Sequence, residues 1–261
     1  MFACPWFPKR RRGVAPPYLA DFAAERGRPA RILVNYADRR FLEAQKRCSA
    51  SALDVGGFDH VRSFSRADLP RDWLARHSWV LKQKRGAGYW LWKPKMLSMV
   101  LDQSPEGSIV FYCDSGARWL APIDPYLALL DGTDVLAFTL EAVHTDLRWT
   151  KAEVRLALGL TDEQAREPQR LGGHILLRNS PSSRALVGEW LRRCETDRWI
   201  TDEPSSIPNP PEFEAHRHDQ SLWSILCKTR GVATVPDLSQ WGNDRRPAHL
   251  PQVIHNDRWS K

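Results

Sequence analysis

The feature that most constrains the fold is a short apolar run, residues 109–113, which ends at Asp114, Ser115 and Gly116. Five apolar residues bounded by polar and turn-forming residues are typical of a parallel strand buried on both faces. Open α/β sheets bind their ligands at the carboxyl ends of such strands. Asp114 therefore stands where a binding site is expected.

The segment before this strand, residues 85–95, combines a glycine-rich turn with three aromatic residues and two lysines. An apolar-periodic stretch, residues 96–101, follows it and predicts a helix. A loop of this kind offers backbone N–H groups and positive charge to phosphates, and rings that stack on a base or a sugar. We therefore predict ligand contacts from Arg85, Trp90, Trp92 and Lys93.

The rest of the chain alternates predicted strands with predicted helices. The strands are residues 31–36, 61–64, 135–139 and 171–178, and the helices are residues 41–53, 181–194 and 219–226. A strand, helix, strand order favours right-handed parallel crossovers. The fold class is therefore α/β, with a mostly parallel mixed sheet flanked by helices.

The length of 261 residues suits a single core. We predict one domain over residues 30–261, preceded by an arm, residues 1–29, that contains five prolines and the basic run 9–12. The five cysteines are far apart and form no Cys-x-x-Cys pair, so reduced thiols are expected rather than a zinc site or a disulfide framework.

The formal net charge of +7 suits anionic partners. The basic run 9–12 would contribute about 1 kcal/mol per residue to peripheral contact with an anionic membrane, and an unstructured tail explains it equally well. No apolar stretch reaches the roughly 18 residues of a membrane span. The N-terminal charges follow the apolar residues, the reverse of a secretory signal. We expect a soluble cytoplasmic protein, at most peripheral to the inner membrane face.

Three blocks of sequence, residues 88–94, 114–116 and 216–220, resemble a family of bacterial glycosyltransferases associated with surface polysaccharides. The blocks occur in order and, with their surroundings, span roughly residues 30–258. The resemblance implies the Rossmann-type GT-A fold, a nucleotide-diphospho-sugar donor, and a saccharide or glycoconjugate acceptor in capsule or surface polysaccharide synthesis.

A donor site is implied by the same resemblance. Its base or ribose end would lie at Asn35 and Tyr36, which end the first strand, and at Asp38 just after it. Ordinary strand-end capping explains these three residues equally well. The rest of the predicted donor site consists of the loop and strand-end residues Arg85, Trp90, Trp92, Lys93, Asp114, Ser115 and Gly116.

GT-A enzymes commonly bind a divalent metal through two carboxylates separated by one residue. In this chain Asp114 supplies the first carboxylate, but the position of the second is occupied by Gly116. Glycogenin-like enzymes add a histidine near the C-terminus, and His255 is similar. Two alternatives stay open: Mn²⁺ or Mg²⁺ held by Asp114, His255 and the diphosphate, or a metal-free clamp in which Lys93 binds the diphosphate.

Asp219 and Gln220 are similar to an Asp-Gln pair that reaches the transferring sugar in glycogenin-like enzymes, so we predict them as catalytic residues. A first-turn carboxylate that stabilises the helix dipole would also explain Asp219. The predicted acceptor contacts are Trp149, Lys151, Gly173 and His218. A plain turn is the alternative explanation for Gly173. The spacing of Thr150 and Glu153 predicts a capping box at the start of a helix.

Two other functions are considered. Twelve tryptophans and interspersed arginines would suit a nucleic-acid-binding protein, but the tryptophans are scattered through predicted core elements and no RNA- or DNA-binding motif occurs. A GT-A-like domain without catalysis is the other. An enzyme should gather Asp114, Lys93, Asp219 and His255 in one cleft, whereas a nucleic-acid binder should show a continuous basic groove.

Overall fold

The structure is a computed structural model that describes residues 27–196, 198–239 and 249–256. Its centre is a six-stranded sheet in the order β2-β1-β3-β6-β5-β7, beside a two-stranded ribbon of β4 and β8. The eight strands are β1 (Arg31–Tyr36), β2 (His60–Phe64), β3 (Ile109–Cys113), β4 (Ala117–Trp119), β5 (Val135–Thr139), β6 (Arg170–Arg178), β7 (Ala233–Pro236) and β8 (Ile254–Asn256).

Five of the six central strands point in the same direction. β1 pairs in parallel with β2 and β3, and β5 pairs in parallel with β7. β6 runs antiparallel between β3 and β5. The prediction of a mostly parallel mixed sheet is therefore confirmed. The reversal also places the start of β6 beside the end of β3, where the Asp114 amide donates to the Gly173 carbonyl at 3.0 Å.

Helices cover both faces of the sheet. They are α1 (Leu42–Asp54), α2 (Arg71–Arg76), α3 (Ser78–Leu81), α4 (Trp92–Gln103), α5 (Asp124–Leu127), α6 (Asp146–Trp149), α7 (Ala152–Ala157), α8 (Asp162–Arg166), α9 (Pro181–Cys194) and α10 (His218–Thr229), with 3-10 turns at Arg66–Asp68 and Ala128–Leu130. α9 begins as the sequence predicts, because Pro181 occupies its first turn and the Ser180 hydroxyl accepts from the Ser183 amide. None of the described helices is long and apolar enough to cross a bilayer.

The strands divide the core into two clusters because successive side chains point to opposite faces. One cluster packs against α4, α9 and α10 and includes Val110 and Tyr112. The other lies under α1 and α5 and includes Phe111 and Cys113. Asp114 follows Tyr112 by two residues and therefore belongs to the α4 and α10 side. The cysteines of the described chain are buried free thiols, as predicted.

The predicted capping box is wrong. Lys151, not Thr150, precedes the first residue of α7. The Thr150 hydroxyl instead donates to Asp146 at 3.0 Å, and Glu153 accepts from the Ser206 amide at 2.9 Å. A buried carboxylate needs hydrogen bonds more than an exposed helix end does, which explains where the hydroxyl goes.

The predicted N-terminal arm falls almost entirely outside the described residues, which begin at residue 27. The domain boundary at residue 30 and the membrane contact through residues 9–12 stay predictions.

Candidate active site

A left-handed turn lies immediately before α4. Five consecutive residues, 86–90, have positive φ angles between 51° and 103°. The Tyr89 amide donates to the Arg85 carbonyl at 2.8 Å and the Trp90 amide donates to the Gly86 carbonyl at 3.1 Å, so the segment is one turn of left-handed helix. Each non-glycine residue in this conformation costs about 1–2 kcal/mol. Backbone strain of this kind concentrates at functional sites.

Two aromatic contacts hold the left-handed turn. The Trp92 indole N–H donates to the Gly86 carbonyl at 2.9 Å, and its ring stacks on Tyr36 with centroids 3.8 Å apart. On the other side, Tyr89 stacks on His218 with centroids 4.6 Å apart. The turn is thereby tied to the end of β1 and to the start of α10.

His218 is buried beneath this turn and belongs to the protein interior. Its Nδ1 donates to the Ile200 carbonyl at 2.8 Å, and its Nε2 lies 3.6 Å from Asp202. Asp202 also pairs with Arg85 at 3.2 Å. Burial lowers the pKa of His218 to about 4, so the imidazole is neutral at pH 7.

Gly86→Ala is expected to lower the free energy of unfolding by about 2–5 kcal/mol. The residue has a φ of +57°, and a Cβ at this position would overlap the Trp90 ring. Gly231→Ala is the matched control, because Gly231 has a φ of +63° with no atom within 4 Å of the added Cβ, and should cost only about 1 kcal/mol. Urea unfolding measures both, and equal losses would contradict a role for the Trp90 contact.

The left-handed turn places Lys93 in the first turn of α4, where its amide donates to the Trp90 carbonyl at 2.9 Å. The ammonium donates to the Gly172 carbonyl at 2.9 Å and lies 2.7 Å from Asp219 Oδ2. Both side chains of this ion pair are only 4% exposed. A buried lysine and a buried carboxylate are thus brought together from α4 and α10.

Asp114 adjoins this pair. The Tyr112 hydroxyl donates to Asp114 Oδ1 at 2.5 Å, and the Lys93 ammonium lies 5.1 Å from the centre of the Tyr112 ring. Burial and the Asp114 charge raise the pKa of Tyr112 well above its usual value, so the phenol stays a hydrogen-bond donor. Asp114 is thereby oriented by its neighbour on the same strand face.

Two glycines of β6 allow this approach. A Cβ on Gly173 would lie 3.0 Å from Asp114 Oδ2, and one on Gly172 would lie 3.1 Å from the Gln220 Cβ. Both residues are within a strand, so the plain-turn alternative is wrong. A side chain at either position would crowd Asp114 or Gln220, because side chains from β3 and α10 come close to the β6 backbone here.

The Asp219 carboxyl has a perturbed pKa. Burial raises it to about 6, and the Asp114 charge acts in the same direction, while the Lys93 ammonium lowers it. Gln220, the next residue, accepts from the Gly172 amide at 3.1 Å. Perturbed carboxyl groups beside a specific charged partner are typical of functional sites.

The structure therefore brings together Lys93, Asp114, Gly173, Asp219 and Gln220, all named by the sequence. Ser115, Tyr36 and Trp92 adjoin them: the Ser115 hydroxyl donates to the Tyr36 carbonyl at 2.5 Å, which ties the end of β3 to the end of β1. Gly116 follows in the turn between β3 and β4. Trp90 stacks on His218 with centroids 5.6 Å apart.

Other predicted site residues make contacts within the protein. Asn35 donates to the Ser49 hydroxyl of α1 at 3.0 Å, and Asp38 accepts from the Arg40 amide at 2.9 Å, a local turn contact. Lys151 is buried, and its ammonium donates to the Arg198 carbonyl at 2.5 Å. Their roles as ligand contacts stay predictions.

Trp149 lies on α6, beside the start of α10. The Arg217 guanidinium lies 3.8 Å from the centre of the Trp149 ring. The Trp149 carbonyl accepts from the Ser221 hydroxyl at 2.8 Å. Its predicted acceptor contact is likewise a prediction still to be tested.

The residues predicted for a metal come from neighbouring segments. His255 of β8 is opposite Arg118 of β4, which begins three residues after Asp114. Within the described ranges, no group of three or more His, Cys, Asp or Glu side chains could hold a metal ion. A Mn²⁺ or Mg²⁺ ion held by Asp114 and His255 would take further oxygen ligands from the diphosphate and from water.

Tyr112 and Asp202 were missed from the sequence. Tyr112 could have been identified, because it precedes Asp114 by two residues and shares its strand face. Nothing in the residues around Asp202 indicates that it pairs with Arg85, since the two are far apart in the chain.

Comparisons with known proteins agree with this architecture. No protein-family model matches the chain, and no curated protein matches it. Among solved structures, mouse xyloside xylosyltransferase 1 is similar over 87% of this chain and 97% of that one, with a TM-score of 0.50 and 12% identity.

The bifunctional glycosyltransferase WbbM is similar over 87% of this chain, with a TM-score of 0.54 and 10% identity. This chain covers 45% of the WbbM chain. At such identities the likeness shows the fold alone. The fold is that of the GT-A glycosyltransferases.

Proposed function

We propose that the chain transfers a sugar from a nucleotide-diphospho-sugar to a saccharide or glycoconjugate acceptor, in the synthesis of capsule or another surface polysaccharide. The GT-A fold supports glycosyl transfer in general. The observation that carries the proposal is the buried Lys93–Asp219 pair beside Asp114, at the end of β3. Ligands of open α/β sheets bind at this edge.

Lys93 would neutralise the charge that develops on the leaving diphosphate. A cation already fixed in a water-poor site stabilises such charge without reorganisation. The proposal assigns this role to the ammonium because its contacts with Asp219 and the Gly172 carbonyl fix it at the end of β3. A divalent metal bound by Asp114 and His255 would supply the same neutralisation.

Asp219 would act on the transferring sugar or on the acceptor hydroxyl. As a base it would accept the hydroxyl proton, and as a carboxylate it would stabilise an oxocarbenium-like transition state. Both roles need the ionised form. With a pKa of about 6, Asp219 is mostly ionised at pH 7 yet basic enough to take up a proton.

A nucleotide-binding screen tests the proposal. UDP, GDP, CMP and their sugars, each with and without Mn²⁺, are added to the full chain while its melting temperature is followed. At a hundredfold its dissociation constant, the correct nucleotide should add about 2.7 kcal/mol, or roughly 5–10 °C. The matching nucleoside, which lacks phosphates, is the control.

A shift that needs Mn²⁺ would favour the Asp114 and His255 account, and one without Mn²⁺ would favour Lys93. No shift with any nucleotide or sugar would contradict the proposal and favour a domain without catalysis. Nucleic acid is not the favoured alternative, because many tryptophans that would stack on bases are buried in the core: Trp73, Trp92, Trp119, Trp190 and Trp223.

A further inference from the structure

A buried hydrogen-bond network lies behind the candidate site. At its far end is Asp146 of α6, which is fully buried. The Lys228 ammonium lies 2.7 Å from Asp146 Oδ2, and the Ser224 hydroxyl donates to the same oxygen at 2.7 Å. The Thr150 hydroxyl donates to Oδ1 at 3.0 Å. These partners fix the position and orientation of the Asp146 carboxylate.

Gln169 connects this carboxylate to the site. Its Nε2 donates to Asp146 Oδ1 at 2.9 Å, and its Oε1 accepts from Gln220 Nε2 at 3.0 Å. Gln220 Oε1 in turn accepts from the Gly172 amide at 3.1 Å. The Gly172 carbonyl is the one that accepts from Lys93, so the network ends at the ion pair.

The direction of every hydrogen bond in this network is determined by its two ends. An ionised carboxylate can only accept, so Gln169 must present its NH₂ group to Asp146. A backbone N–H can only donate, so Gln220 must present its oxygen to Gly172. With both ends fixed, the two glutamine carboxamides have a single consistent orientation.

We propose that Asp146 and Gln169 are positioning residues that hold the Gln220 carboxamide with an N–H directed to the substrate. Gln220 is partly exposed, and the hydrogen bonds described for its Nε2 use only one of the two N–H groups. The complementary ligand atom is an acceptor, a hydroxyl or ring oxygen of a sugar. This inference rests on the proposed function for the identity of that ligand.

The orientation is tested without any substrate. In protein labelled with ¹⁵N-glutamine, Gln220→Leu identifies the Gln220 side-chain amide resonances. In wild type, one of its two N–H protons should exchange slowly because it is bonded to Gln169. In Gln169→Leu, both should exchange fast and move toward the values of a free amide. Unchanged Gln220 resonances in Gln169→Leu would overturn the proposal.

The effect on turnover is tested with the nucleotide-sugar that gives the largest shift in the binding screen. Gln169→Leu should lower kcat by about 10²-fold, the effect of a misplaced contact, with little change in the donor KM. Because Gln169 acts through Gln220, the double variant Gln169→Leu/Gln220→Leu should lose no more kcat than Gln220→Leu. Additive losses would mean that Gln169 acts independently, and would overturn the proposal.

Gln45→Leu is the matched control. Gln45 is also buried, and its Nε2 donates to the Phe64 carbonyl at 2.9 Å, away from the network. Both leucine variants should lower the melting temperature by roughly 2–8 °C, but only Gln169→Leu should change kcat. Equal loss of kcat in both would reveal a general structural effect and contradict the proposal.

The two experiments fail separately. If no nucleotide-sugar were bound or turned over, the proposed function would be wrong, while the exchange measurement would still decide whether Gln169 orients Gln220.

Discussion

Asp114→Asn is expected to lower the rate of sugar transfer by about 10²–10³-fold while the fold stays intact. The lost carboxylate charge lies beside the Lys93–Asp219 pair, and removing one preorganised electrostatic group typically has this effect. Folding should be preserved, because the asparagine oxygen can still accept from the Tyr112 hydroxyl, and the Asp114 amide still reaches the Gly173 carbonyl. Steady-state kinetics and urea unfolding measure the two quantities.

Asp102→Asn is the control for this substitution, because Asp102 is an exposed carboxylate on α4 and should affect neither quantity by more than about 0.5 kcal/mol. Retained turnover in Asp114→Asn would move the catalytic assignment elsewhere. A loss of stability equal to the loss of activity would make Asp114 a structural residue.

Lys93→Met is expected to lower the free energy of unfolding by about 3–5 kcal/mol at pH 7.5, because it leaves the Asp219 carboxylate buried without its partner. Lys95→Met, a change on a partly exposed lysine of the same helix, should cost less than about 0.5 kcal/mol. Urea unfolding compares the two variants. Sugar transfer should be lost in Lys93→Met but retained in Lys95→Met.

The double variant Lys93→Met/Asp219→Leu separates stability from function. Replacing both charges by apolar side chains of similar size removes the desolvation cost of each, so stability should return to near the wild-type value. Transfer should stay abolished. If the double variant were less stable than Lys93→Met, the unpaired charge could not be the cause of the loss.

The same pair predicts how stability depends on pH. The folded pKa of Asp219, about 6, exceeds the unfolded value of about 3.9. The folded protein therefore binds more protons between these values, and its stability falls as the pH rises through this range. A difference of two pKa units between the folded and unfolded states corresponds to about 3 kcal/mol of folding free energy. Because pH 4.5 is still above the unfolded pKa, wild type should gain about 2 kcal/mol of this stability relative to Asp219→Asn between pH 7.5 and 4.5, as measured by urea unfolding.

Much of the fold was predictable because its determinants are local. The β3 strand is an uninterrupted apolar run with a polar end, and the α9 helix begins with serine and proline in their preferred positions. The same locality identified Asp114, since the end of a buried strand is visible in the sequence. Asp219 and Gln220 were named through resemblance, and their proximity to Lys93 is a contact between distant parts of the chain.

What the sequence did not predict depends on long-range packing. The left-handed turn places Ala87, Tyr89 and Trp90 in a conformation that their own preferences disfavour; only the neighbouring glycines indicated a turn. The antiparallel direction of β6 depends on the route of the chain between strands. Gln169 and Asp146 were overlooked because a buried polar network is visible only when its members are brought together.

The separation of the core into two clusters has a consequence for protein engineering. The gathered side chains belong to the face of the sheet that carries α4 and α10, whereas Leu33, Phe111 and Leu176 point to the other face, under α1 and α5. Volume-conserving apolar substitutions there usually cost less than about 1.5 kcal/mol. A library confined to that second cluster can therefore be selected for thermostability while Lys93, Asp114, Asp219 and Gln220 keep their own surroundings.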